Sequence, residues 1–101
     1  MNFTNRPIPV GVPKELLRRL FDAMDMFAKV DAGLFSAKLY WQGKTAPSHL
    51  PLGSSSQIWE YVNREGRMFA RVHCYRDATG GLIGRPDPKY LRINEVALYA
   101  M

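Results

Sequence analysis

The sequence predicts an α+β domain, with one long N-terminal helix packed on one face of a curved antiparallel sheet of four to five strands. Three observations carry this expectation. Between Pro13 and Asp31 apolar residues recur every three or four positions, the period of a helix with one buried stripe. From Leu34 onward apolar and polar residues alternate, the period of a strand. Two pairs of those alternating stretches are joined by short turns, and each resulting hairpin has an aliphatic face and an aromatic-arginine face.

Taken in order, residues 1–12 form an extended arm. Pro7 and Pro9 confine it to a sheet edge at most, and Phe3 and Ile8 are its anchors if it is tied down. Pro13 suits the first helical position and Glu15 the positive end of the helix dipole. Leu16, Leu17, Leu20, Phe21, Met24, Phe27 and Ala28 then make the stripe, and Gly33 supplies the stop. Leu34 to Gln42 alternates as a strand. Residues 43–56, with two prolines and three consecutive serines, make a long loop.

The next stretch, Gln57 to Arg76, organises the rest. Asn63-Arg64-Glu65-Gly66 has the composition of a type I turn closed by a glycine bulge. Placing Asn63 opposite Arg67 sets Tyr61 opposite Phe69, Trp59 opposite Arg71 and Gln57 opposite His73. One face then collects Trp59, Tyr61, Arg67, Phe69, Arg71, His73 and Tyr75. The other, Ile58, Glu60, Val62, Met68, Ala70, Val72 and Cys74, reads as core. Glu60 is the anomaly in that set. Either the register is locally wrong, or the acid lies at an edge, or it is buried with a partner. Leu82 and Ile83 make a very short strand, Gly84 to Pro88 a rigid turn, and Lys89 to Met101 a second hairpin about Asn94-Glu95. With a two-residue loop, Ile93 opposes Val96, Leu91 opposes Leu98, and Tyr90 opposes Tyr99. Tyr90, Arg92 and Tyr99 then join the aromatic-basic face.

A chain of 101 residues fits one domain, 1–101, with one modest core, and its 47% hydrophobic content excludes disorder by composition. A formal charge of +5 favours anionic partners, and nine of the fourteen basic residues are arginine, which suits bidentate phosphate contacts. A single cysteine, Cys74, permits no internal disulfide and agrees with a reducing cytoplasm. No signal peptide or membrane-spanning stretch is evident. His73 and Cys74 are adjacent, so a strand turns them to opposite faces, and with His49 and Asp77 they give no convergent set. No metal or cofactor is expected.

What remains is the aromatic-basic face: Trp59, Tyr61, Arg67, Phe69, Arg71, His73, Tyr75, Tyr90, Arg92 and Tyr99. Rings that stack on bases, set among guanidinium groups that hold phosphates, suit single-stranded RNA or DNA. The expectation is a small cytoplasmic homodimer that binds nucleic acid or another anionic partner. One alternative is a metal-independent endoribonuclease, with His73 and Tyr75 moving protons and Arg71 stabilising charge. A helix followed by an antiparallel sheet with basic terminal strands resembles, in architecture alone, the RelE and ParE endoribonuclease toxins. Another alternative is a structural or accessory protein whose aromatic face meets a second protein.

Overall fold

The structure, a computed structural model, describes residues 6–43 and 48–101. Phe3 and Pro47 therefore lie outside the described residues. Six strands form one mixed sheet with two short helices, which corrects both the single long helix and the wholly antiparallel sheet. β1 (Ile8–Val12), α1 (Lys14–Ala23), α2 (Met26–Asp31), β2 (Ser36–Gly43), β3 (Ser55–Val62), β4 (Met68–Arg76), β5 (Leu82–Ile93) and β6 (Val96–Ala100) follow in chain order. The spatial order is β1-β6-β5-β4-β3-β2. β1 pairs with β6 in parallel and every other neighbour is antiparallel. Pro9 is tolerated in β1 because that strand is an edge.

The helix breaks at Asp25, whose φ of 51° is left-handed. Asp tolerates that region at a cost of about 1 kcal/mol. Phe21 and Phe27 are six residues apart, so an unbroken helix would set them about 120° apart around its axis. The break instead brings both rings to Tyr61, with centroids 6.4 Å away in each case and 5.6 Å from one another. It also buries Met26, which the periodic stripe omitted, while Leu16 of that stripe is exposed. Burying one such side chain contributes about 2 kcal/mol, enough to offset the strained residue.

The first hairpin turn forms as its residues dictate. Gly66 has φ 84°, Asn63 N–H donates to the Arg67 carbonyl, and the Asn63 carboxamide oxygen accepts from the backbone N–H groups of Glu65 and Arg67. Beyond it the register departs from expectation. Val62 faces Met68, but Tyr61 faces Ala70, so Phe69 is an extra residue in a bulge. Trp59 consequently faces Val72, and Gln57 faces Cys74. A slip of one residue turns every side chain of β3 over relative to β4.

β5 runs unbroken through the stretch expected to be a rigid turn. Its prolines are accommodated where the ladder with β4 is irregular: His73 faces Asp87, and Tyr75 faces Ile83. The terminal hairpin has the expected register, Ile93 with Val96, Leu91 with Leu98 and Tyr90 with Tyr99. β3 begins at Ser55, inside the stretch read as loop. α1 lies on β5 and β6, and Leu17, Phe21, Met26, Tyr61, Val72 and Leu91 make the heart of the core beneath the helices.

Candidate binding face

The helices cover one side of the sheet, and the bulge decides which residues share the other. Because residues opposed in a ladder share a face, one row crosses five strands: Lys38, Glu60, Arg71, Tyr90 and Tyr99. A second row holds Trp41, Ile58 and His73, and a third Gly43, Ser56, Tyr75 and Ile83. Tyr40 is the extra residue of an irregularity between Leu39 and Trp41, and its ring lies 4.4 Å from the Arg71 guanidinium carbon. These rows form the open face.

The ten residues expected on one surface are therefore divided. Arg71, His73, Tyr75, Tyr90, Arg92 and Tyr99 stand on the open face. Trp59 and Tyr61 pass to the helix side with the core cluster, and Phe69 packs 5.7 Å from Phe35 on that side. Arg67 is exposed beside the hairpin turn. Glu60 leaves the expected core face and meets Arg71, Nη2 to Oε2 at 2.7 Å. The wrong register was thus the explanation for the anomalous acid, and the misplaced Glu60 was the signal in the sequence that could have exposed it. Lys38, Tyr40, Trp41 and Ser56 were absent from the expected set. They sit on a strand and a loop margin that hairpin reasoning did not reach.

The electrostatics of the face are local. Arg71 is held by Glu60 and by the Tyr40 ring, and its Nε is buried with no hydrogen-bond partner among the described residues. Ser56 Oγ and His73 Nε2 are 2.6 Å apart, and the Tyr75 ring stands edge-on to the imidazole at 4.8 Å. Burial holds the His73 ring below its ordinary value, and the Lys89 ammonium adds to the effect while Asp87 opposes it. The ring is accordingly neutral at pH 7. Asp87 accepts from Arg18 and Lys89 at 2.9 Å each. Burial pulls its carboxyl upward, yet those two hydrogen bonds hold it below the usual carboxylate range.

Three aromatic side chains of the face are exposed, as is Lys38. Tyr40, Trp41 and Tyr99 keep 58, 46 and 47% of their surface. Tyr90 is buried against Tyr99 at 5.0 Å and serves as support. Among the described residues, no three His, Cys, Asp or Glu side chains converge as metal ligands. No helix among them is long and apolar enough to cross a membrane. Compared with known proteins, the chain matches no family model, no curated protein and no solved structure.

Proposed function

We propose that this chain is a binding protein whose open sheet face receives single-stranded nucleic acid. The observation that supports this most is the uncovered face itself. Tyr40, Trp41 and Tyr99 are exposed there, with the exposed ammonium of Lys38 beside them on β2 and the Arg71 guanidinium paired with Glu60. A base can stack on an exposed ring whatever its identity, at about 1–3 kcal/mol each, while cations track the phosphates. Strands lie about 4.8 Å apart, so the rings on β2 and β6, the fifth strand across, are separated by about 19 Å. That span suits several nucleotides rather than one. The test is a labelled oligonucleotide, whose anisotropy should rise on binding and fall steeply as salt is added.

A second reading concerns assembly. β2 is the outermost strand on its side of the sheet, and Leu39, Tyr40 and Trp41 are exposed along it. The opposite edge is blunted by Pro9, whereas β2 carries Lys38 and the irregularity at Tyr40 against pairing but no proline. Two copies joined through antiparallel β2 strands would make a symmetric homodimer whose open faces run on continuously. The size of the protein in solution tests this directly. The ribonuclease reading gains less support. Arg71, its charge stabiliser, is already neutralised by Glu60.

A further inference from the structure

On the helix side, α2 leaves part of the sheet uncovered. A groove of about 390 Å³ lies there, floored by Trp59, Tyr61, Val72 and Cys74 and walled by Phe27 and Val30. Its walls are mostly apolar, and its size falls within the range of small-molecule sites. The floor runs along β4 from Val72 to Arg76, about 13 Å of strand.

Three charged side chains line the groove, Asp31, Arg76 and Arg85, and the last of these is paired with Asp22. Asp31 acts on Tyr61 at one end. Arg76 stands at the other, its guanidinium 5.6 Å from the Trp59 ring. Arg76 Nε donates to Gln57 Oε1 at 3.2 Å and Nη1 to the Gly80 carbonyl at 3.0 Å. No carboxylate pairs with it among the described residues. Its neighbour Cys74 does not neutralise it, because burial pushes the thiol up and keeps it protonated. A half-buried guanidinium with neutral partners alone is a place where an outside anion gains a charge-assisted hydrogen bond.

We infer that this groove binds an amphipathic monoanion, an acyl or aryl carboxylate whose apolar body lies over Trp59 and Val72 and whose head meets Arg76. This site is separate from the open face and stands whether or not nucleic acid binds there.

Titration calorimetry with decanoate and decanol tests the inference. Decanoate should bind saturably and at least tenfold more tightly than the alcohol, because only the acid can pair with Arg76. Arg76→Gln should reduce the acid to the alcohol's affinity, and Arg76→Lys should keep much of the preference. Ala37 lines the groove from exposed strand β2 opposite Tyr61, so Ala37→Phe fills it from the solvent side. That variant should weaken both ligands at least tenfold, and it keeps the test decisive should Arg76→Gln fail to fold. The absence of saturable decanoate binding, equal affinity for decanol, or unchanged affinity in Ala37→Phe overturns the proposal.

Discussion

Glu60 and Arg71 face each other at the centre of the open face, their side chains joined at 2.7 Å and 22 and 30% exposed. The pair ties β3 to β4, and the Tyr40 ring adds β2 to the same contact. Its position follows from a single extra residue, Phe69, between the turn and the rest of β4. Without that bulge Arg71 would face Trp59, and the acid would point into the helices.

Glu60→Gln should therefore have two opposed effects. It leaves a partly buried guanidinium without its counter-charge, which should lower stability by about 1–2 kcal/mol in denaturant unfolding. It also frees Arg71 and raises the charge of the face by one. If the face receives phosphates, oligonucleotide affinity should rise several-fold in the same variant. A stability loss with unchanged affinity would separate the pair from binding.

The hairpin turn makes a sharper prediction about folding. Gly66 holds φ 84°, and Asn63 caps two backbone N–H groups with one side-chain oxygen. Gly66→Ala forces a left-handed alanine and should cost about 1 kcal/mol. Asn63→Ala uncaps both donors and should cost about 1–2 kcal/mol. At Asp25, also left-handed, Asp25→Gly should be neutral or slightly stabilising, whereas Asp25→Val should destabilise. Urea unfolding midpoints check all four substitutions.

Stability should depend on pH through His73. The folded protein lowers the affinity of this ring for a proton, so the unfolded chain binds more protons between the folded value and the ordinary one near 6.5. The contribution is present in full above about pH 6.5. It is lost as pH falls from there through the lowered folded value. His73→Gln should flatten the stability profile across that window. A wild-type profile that stays level, or rises toward acid, would contradict the assignment. Acid loss through Asp87 belongs to lower pH, because its lowered carboxyl value sits below the usual carboxylate range.

Local features were legible in the sequence where residue chemistry decides them, but the fold class was not. The Asn63–Gly66 turn, the terminal hairpin register and the strand through Tyr40 follow from residue types and alternation. The helix stripe was read correctly at Leu17 and Phe21. It included Leu16, which is exposed, and omitted Met26, because the break at Asp25 that buries Met26 serves tertiary packing, which no local propensity encodes. Parallel pairing of β1 with β6 joins residues some ninety positions apart, and alternation within a strand cannot name its neighbour. The bulge at Phe69 had the largest consequence for the site. One extra residue sent Trp59 and Tyr61 to the helix side and left Glu60 and Arg71 on the open face with Tyr40 of β2.

Assembly through β2 is tested by charge placed on the edge. Leu39→Lys with Trp41→Lys should convert a dimer to a monomer in sedimentation velocity while far-ultraviolet circular dichroism stays unchanged. A wild-type protein that sediments as a monomer at every concentration would remove the edge-pairing reading.

We propose that the open face, and not the helix side, holds single-stranded nucleic acid. Anisotropy of a labelled twelve-nucleotide oligonucleotide, titrated with wild type, Tyr40→Ala and Tyr99→Ala at low salt, tests it most directly. Each substitution removes an exposed ring outside the core and should weaken binding by about 1–3 kcal/mol, or roughly five- to 150-fold. Wild-type affinity should fall steeply with salt. An oligonucleotide that fails to bind at low salt, or that binds both variants as tightly as wild type, would contradict the account.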